Sequence, residues 1–518
     1  MSFSRRKLFA AAAVGGALAA TGLPVARARE LGAGEGEFDA LAARGYNRRF
    51  QARPSAIYVP DTREDVRAAL ETAVRRDGGV AVRSGGHCFD DLVDNERTRS
   101  IIDLGRLDAV FWDEQQRAFS VDAGADLGSV YNALHRWGVT LPAGICLGVG
   151  MGGHVCGGGY GPLSRRFGLV ADHLAGVEVV TVDADGSAKV VLATKDGPDR
   201  DLWWAHTGGG GGNFGVVTRY LFRSPDADGA DPTRALPKPP TSMLSARLIV
   251  PLATEDSFVR LLENYVGFFH RHSTPGNDFA GLYAPLMIHT TGTAAGEMLI
   301  LADGETPGAR ARFDDFVATV SDGVFPPPIL TPVARLSYPD TVNQVYYAKG
   351  VNTTRVKVKS TYLRRPYTTD QLRVFYRYIT DLGVLGESQL EFLPFGGAIN
   401  AVSADATAMP ARDSFMKMLI HASWRLPSDD DRHVRWTREM YRDVHASTGG
   451  VPVPNEVYGG SYINYPDPDL TDPTWNTSGV PWHAFYYGAN YPRLLRVKQA
   501  VDPRNVFGHK LAIGRPDW

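Results

Sequence analysis

Apolar residues along the chain fall into short runs broken by Gly, Pro and Asp, with a few helical windows between them, a rhythm that predicts an α+β protein. Residues 56–60 (Ala-Ile-Tyr-Val-Pro) read as a strand, and Asp61-Thr62 cap a helix over 63–76. Residues 80–83 form the next strand and end in the turn Ser84-Gly85-Gly86-His87. Further strands are predicted at 100–103, 118–121, 174–182 and 216–222, with a turn at Asp185-Gly186. The Gly/Glu-rich stretch 32–37 reads as a mobile loop, and the Pro/Ala/Asp-rich stretch 224–241 as a linker. From 242 to about 418, strands such as 243–250 alternate with helical windows such as 255–270, which predicts a second α/β unit on a largely antiparallel sheet. The tail after Tyr458 is rich in Tyr, Trp, Pro and Asn, and is expected to dock on an existing domain.

Length turns this pattern into a domain count, since 518 residues exceed one ordinary core and suggest two or three units. With 44% hydrophobic and 22% charged residues the chain is not a disordered one. The 55 basic and 57 acidic residues leave a net charge of -2 and no long block of one sign. That excludes an electrostatic footprint for nucleic acid and points to a small-molecule partner. At the N-terminus, Ser4-Arg5-Arg6-Lys7-Leu8-Phe9, an Ala/Gly/Leu stretch and Ala26-Arg27-Ala28 read as a twin-arginine export signal over residues 1–28. Its apolar run is shorter than the ~20 residues of a membrane span, so cleavage near Ala28 and an extracellular or cell-envelope location are expected, with no stable membrane association afterwards.

The cysteines, Cys88, Cys146 and Cys156, make neither a disulfide framework nor a zinc site, and no metal is expected. At least one thiol must be free, shared with another chain, or bonded to something other than cysteine. Two stretches match G-x-G-x-x-G, Gly148 to Gly153 and Gly210 to Gly215. A Rossmann fingerprint needs a strand before it and a helix after it. The first match runs on into Gly157-Gly158-Gly159-Tyr160-Gly161 and the second opens into Val216-Val217-Thr218, so a nicotinamide-type domain is not expected. Glycine does let main-chain N–H groups approach a phosphate, and the runs 84–86, 148–161 and 208–215 could together wrap one extended dinucleotide. The plainer alternative is three tight turns.

Arg83-Ser84-Gly85-Gly86-His87-Cys88, Cys146-Leu147-Gly148-Val149-Gly150-Met151-Gly152-Gly153-His154, Gly157 to Gly161 and Asn213-Phe214-Gly215-Val216-Val217 resemble the FAD domain of the vanillyl-alcohol oxidase/p-cresol methylhydroxylase superfamily. Within it the chain resembles the berberine-bridge-enzyme-like oxidases, the bacterial antibiotic-tailoring ones above all, over about residues 53–508. The resemblance implies a two-part FAD-binding domain of the PCMH type at 46–224, a substrate domain at 242–457 with a large antiparallel sheet, and a C-terminal segment, 458–518, returning to the FAD domain. It implies bicovalent FAD, with His87 on the 8α-methyl and Cys146 on C6 of the ring. The cradle would include Arg83, Ser84, Gly85 and Gly86 from the first motif. Gly150, Gly152, Gly153, His154, Gly157, Gly158 and Gly161 would come from the second, Gly215, Val216 and Val217 from the third, and Asn505 from the tail. Val149 matches the small residue that leaves the flavin open to O2. Cys88 and Cys156 read as packing residues, with a bond between them left open.

Alcohol oxidation by flavin needs a group that takes the hydroxyl proton as hydride leaves carbon. The glutamate that berberine bridge enzyme places after its G-G motif is Ala401 here, in Pro394-Phe395-Gly396-Gly397-Ala398-Ile399-Asn400-Ala401, which argues against alkaloid cyclisation. The tyrosine-using relatives carry Y-x-N-Y, here Tyr462-Ile463-Asn464-Tyr465. Tyr465 is the expected base and Tyr462 the reserve, because i and i+3 on an extended segment face opposite sides. Glu391 is expected to assist the phenol and Tyr160 to orient the substrate oxygen. The implied function is FAD-dependent oxidation of a secondary alcohol on a secondary metabolite or its sugar, with O2 reduced to H2O2. An oligosaccharide or sugar oxidase is the near alternative, and a low-turnover flavin-loaded binding protein the distant one.

Overall fold

A computed structural model describes residues 28–514 apart from 77–78, 228, 253, 291–294, 351–352 and 385–387. The export signal read at 1–28 lies, but for Ala28, outside the described residues. The first sheet holds β1 (Arg29–Leu31), β2 (Ala56–Val59), β3 (Val80–Arg83) and β4 (Ser100–Asp103) in the order β1-β2-β4-β3. β2, β4 and β3 run parallel, and β1 is antiparallel to β2. The crossover helix Arg63–Arg76 starts where Thr62 and Asp65 each accept the other's backbone N–H, at 3.2 and 2.9 Å. It buries Val66, Ala69, Leu70, Ala73 and Val74, a one-face spacing. The stretch read as mobile is ordered instead. Leu31 pairs across from Ile57, a helix begins at Gly36, and Phe38 and Ala42 pack with Leu31, Ile57, Val59 and Ile101. Two apolar anchors beside a free sheet edge outweigh the local glycine content.

The second sheet is antiparallel, from β5 (Val110–Asp113), β6 (Ala118–Asp122), β7 (Leu174–Val182), β8 (Ala188–Thr194) and β9 (Val216–Phe222) in the order β5-β6-β9-β7-β8. β5 and β8 escape the sequence pattern because they are edge strands with largely exposed side chains.

The third sheet gathers β10 (Ser242–Pro251), β11 (Leu282–Tyr283), β12 (Leu286–His289), β13 (Ala295–Asp303), β14 (Ile329–Leu330), β15 (Ala334–Ser337), β16 (Arg355–Leu363), β17 (Gln389–Pro394), β18 (Met416–Trp424) and β19 (Tyr458–Gly460). Its path is β14-β10-β13-β12-β17-β18-β16-β19, antiparallel throughout. Strand alternation gives it two different faces. Ile288, Leu390, Phe392, Met418 and Ile420 are buried, and Phe392 meets Phe375 of helix Thr369–Ile379 with ring centres 6.0 Å apart. Met287, His289, Gln389, Glu391, Lys417, Leu419 and His421 point the other way, into a cavity. After β19 the chain returns to the first two sheets. Tyr487 donates to Gly209 O, Lys498 to Asn213 O, and Ile513 N–H to Asn213 Oδ1, at 3.0, 2.8 and 3.0 Å. Among the described residues no helix is long and apolar enough to cross a membrane.

Candidate active site

A cavity of about 840 Å³ lies between the glycine runs of the first two sheets and the open face of the third. At one end its wall is main chain. A Cβ at Gly150 would stand 2.2 Å from Ser84 Oγ and 2.3 Å from Gly85 N, and one at Gly85 would stand 2.3 Å from Gly150 N. Ser84 Oγ donates to Ala123 O at 2.5 Å and accepts from Gly152 N at 3.3 Å, locking the first run to the second. Arg83 is buried behind, held by Asp103 at 3.0 Å and Asp94 at 3.4 Å. Gly86, Gly153 and Gly161 complete the lining with Gly215 and Val217 from the third run.

Four residues expected in this cradle are off the wall. Val216 begins β9, where alternation turns it into the core. Gly157 lies where a Cβ would strike Asn464, and Gly158 takes a positive φ of 105° behind it. Asn505 sits in a left-handed turn after helix Tyr491–Val501, and Gly508 and His509 reach the cavity in its place. The second glycine run also departs from expectation, because Gly150 leads directly into a helix, Met151–Cys156. Six residues with two glycines carry too little helical signal to be seen in sequence. No strand precedes it, only isolated bridges, so the Rossmann pattern remains incomplete.

His87 and Cys146 both line the middle of the cavity. The imidazole stacks on Tyr46 at 5.0 Å, and Nε2 is 3.4 Å from where a Gly148 Cβ would stand, so the ring reaches the Cys146 loop. Burial, with Arg44 and Lys349 adding to it, holds His87 down at about 4, so the ring is neutral near pH 7 and keeps a nucleophilic nitrogen. Cys146 opens onto the cavity, yet protein surrounds it, and this burial and the Glu391 charge push its thiol up to about 12. Its loop is strapped to the segment that precedes β16, Leu147 N–H donating to Tyr347 O and Tyr347 N–H to Ile145 O. All three cysteines are free thiols, so Cys88 and Cys156 are not bonded, and Cys156 meets the Tyr220 hydroxyl at 3.2 Å. His154 accepts from Gly144 N–H through Nε2 at 3.2 Å, and burial, with the Lys417 charge, lowers it to about 4. Its lone pair is occupied, so it cannot serve as the base. Val149 borders the cavity within the Cys146 turn, its N–H donating to Cys146 O at 3.1 Å.

The far end is built of side chains. Tyr462 and Tyr465 do not face opposite ways. Tyr465 N–H closes a turn on Tyr462 O at 2.8 Å, which swings both rings into the cavity 5.1 Å apart. Between them sits Lys417, unnoticed in sequence, with Nζ 4.0, 4.3 and 4.8 Å from the ring centres of Tyr160, Tyr462 and Tyr465. It is wholly buried and has no hydrogen-bond partner for Nζ among the described residues. Burial lowers it to about 7, opposed by the Glu391 carboxylate. Tyr160 donates its hydroxyl to Pro394 O, and Tyr462 Oη accepts from Asn464 Nδ2 at 3.0 Å. The Tyr465 hydroxyl alone of the three makes no hydrogen bond among the described residues. Burial raises all three phenols, and Glu391 raises Tyr465 further. Glu391 Oε1 holds Gln389 Nε2 at 2.7 Å and His421 Nδ1 at 3.1 Å. A carboxylate there disfavours a phenolate directly but favours the Lys417 ammonium. Ala401 is exposed and off the cavity wall.

The residues present fit a flavin dinucleotide, with a main-chain cradle that a Cβ would fill and a neutral imidazole and a thiol facing one space. A model of the FAD binding domain family matches residues 54–191, and one described as berberine and berberine like matches 461–514. The chain is 45% identical to aclacinomycin-N/aclacinomycin-A oxidase of Streptomyces galilaeus over 99% of each chain. It is 29% identical to hexose oxidase of Chondrus crispus over 90% of this chain and 92% of that one. The solved structure of a glycopeptide hexose oxidase complexed with teicoplanin superposes with a TM-score of 0.91 at 43% identity, covering 95% of this chain and 100% of the other.

Proposed function

The chain belongs to the berberine-bridge-like family of FAD-linked oxidases acting on CH–OH groups with oxygen as acceptor, and on that premise we propose that it oxidises a secondary alcohol on a secondary metabolite or its attached sugar. The free hydroxyl of Tyr465, beside a buried cation and facing the cavity, carries the reading. His87 and Cys146 would hold FAD, which would supply the hydride acceptor and pass the electrons to O2, giving H2O2.

Tyr465 Oη takes the substrate's hydroxyl proton. A buried phenol resists ionising, so the phenolate that accepts this proton needs an offset, and the Lys417 ammonium supplies one, its Nζ 4.8 Å from the ring centre. Burial lowers Lys417 to about 7, so near neutral pH its amine takes the phenolic proton, which leaves Tyr465 Oη an acceptor beside the ammonium. Glu391 acts through Lys417, keeping the ammonium charged. Tyr160, its hydroxyl committed to Pro394 O, serves as a face for the cation more than as a ligand for substrate oxygen. A second reading, oxidation of free sugars, is favoured by the row His289, Gln389, Glu391 and His421 on the cavity wall, polar groups that suit several hydroxyls. Export by the twin-arginine route is part of the proposal and rests on Arg5-Arg6 and Ala26-Arg27-Ala28.

The test is aerobic peroxide release against a panel of secondary alcohols, glycosylated aromatics and free sugars, run beside acid precipitation. Yellow precipitate with peroxide from one class supports the tethered oxidase. Colourless precipitate removes the two covalent bonds, and flavin-loaded protein that releases no peroxide favours the binding protein.

A further inference from the structure

Behind the candidate active site, five charged side chains are buried together. Lys357 and Lys359 are 3% and 2% exposed, and Asp90, Asp467 and Asp469 are 6%, 2% and 6% exposed. Lys357 Nζ reaches Asp467 Oδ1 at 2.8 Å, Asp469 Oδ2 at 3.2 Å and Asp90 Oδ2 at 3.6 Å. Lys359 Nζ reaches Asp467 Oδ2 at 2.6 Å and Asp469 Oδ2 at 2.9 Å. Arg438 closes the outer side with two bonds to Asp469, at 2.9 and 2.6 Å.

The cluster gathers the segments that matter to the chemistry at one edge of β16. Ser360 and Tyr362 share the cavity face with Leu419 and Lys417, their partners in register, while Lys357 and Lys359 point to the opposite face. The segment after β19 crosses this edge and is held on both sides. Tyr462 N–H donates to Ser360 Oγ at 3.1 Å on the cavity face, and Asp467 and Asp469 grip the lysines on the other, with Tyr465 between them. The loop after His87 meets the same edge. Asn47 pairs with Val356 like a short strand, at 3.0 and 2.9 Å, and also donates to Phe89 O at 2.7 Å. Phe89 lies edge-on to Tyr465 at 5.6 Å, and Asp90 follows it to Lys357.

Burying five charges is not a cheap route to stability, since desolvation offsets most of the attraction, and apolar residues of equal volume often do as well. Directional charge-assisted bonds do fix register, which an apolar contact would allow to slide. We propose that this cluster is a positioning device that sets the Tyr465 phenol relative to the His87 loop, with Lys357, Lys359, Asp90 and Asp467 as positioning residues. It rests on the reading that His87 holds the flavin and Tyr465 takes the proton.

The experiment compares holoenzymes without needing the substrate. Lys359→Met keeps volume and leaves Lys357 in place. Arg355→Leu, which removes the Arg355–Asp430 pair and the bond to Arg48 O from the same strand but leaves every ion pair of the lysine cluster in place, serves as the control for general loosening. We expect Lys359→Met to retain flavin, to alter the visible circular dichroism of the bound flavin, and to speed hydrogen exchange in the 461–470 peptide at least about tenfold. Arg355→Leu should leave both signals as in the unmodified protein. Unchanged dichroism and exchange in Lys359→Met would overturn the proposal, as would equal changes in Arg355→Leu. Should Lys359→Met not fold, Asp90→Asn, isosteric and on the longest contact, asks the question from the tether side with the same two readings. Flavin released by acid from the unmodified protein would overturn the tether, while exchange at 461–470 still decides on the cluster.

Discussion

At the Gly85–Gly150 end of the cavity, main chain meets main chain at distances no side chain could share. At the Lys417–Tyr465 end, side chains from β17, β18 and the segment after β19 meet across sheet register and leave the Lys417 ammonium without a hydrogen bond among the described residues, beside the Tyr465 phenol that faces the cavity. The first end is made of main chain packed on main chain, which suits holding one cofactor permanently. The second keeps its groups unspent, and buried groups left in that state are a reservoir for proton chemistry. The contrast separates what binds from what reacts, and variants at the two ends should therefore fail in different ways.

The largest effect is expected from Gly150→Val. Its Cβ has no room between Ser84 Oγ and Gly85 N, both fixed by backbone, so flavin content read from the visible-to-ultraviolet absorbance ratio should fall below about a tenth of the unmodified level. A fully yellow variant would show that the cradle is not the dinucleotide site. Next comes Tyr465→Phe, which should keep both tethers and lose about 10²–10⁴-fold in anaerobic flavin bleaching, the usual worth of a general base. Bleaching at the normal rate would move the base to Tyr462.

Lys417→Met should cost less, about 30-fold in bleaching for a desolvated cation–π contact of ~2 kcal/mol. It also carries a pH signature. In the unmodified enzyme bleaching should rise with pH through about 7, where Lys417 loses a proton, and the inflection should vanish in the variant. Stability gives an independent sign. A lysine lowered from 10.5 to about 7 leaves the folded state with fewer bound protons than the unfolded one between those values. Its destabilising contribution is thus full below pH 7 and is relieved as pH rises toward 10.5. Lys417→Met should melt higher than the unmodified protein at pH 6, with the advantage shrinking by pH 9. The smallest effect belongs to Glu391→Gln, about tenfold or less, with the bleaching inflection moved below pH 7 because the carboxylate no longer supports the ammonium. An inflection that stays in place would confine Glu391 to its bonds with Gln389 and His421.

The two ends also differ in how much of them could be read in advance. The cradle depends on residues that must be glycine wherever they occur, and on a His and a Cys beside them, so Ser84 to His87 and Cys146 to Gly153 were legible as local motifs. Helix 63–76 and strands 100–103, 174–182 and 216–222 were equally legible, because capping and apolar period are local properties. The motif that places Val216 in the cradle does not show that strand alternation turns it into the core, and Asn505 and the helix Met151–Cys156 had no local signal strong enough to place them. Lys417 stands in Met-Lys-Met-Leu-Ile, where an alternating strand reads it as an outward, solvated position. Only the register of β18 against β17 and β16, with the Tyr462–Tyr465 turn folded over it, makes that outward face an enclosed one. Sequence thus determined the cofactor end, whose requirements are conformational and act within a few residues. Tertiary structure decided the reactive end, whose charges acquire their properties from burial against residues far away in the chain.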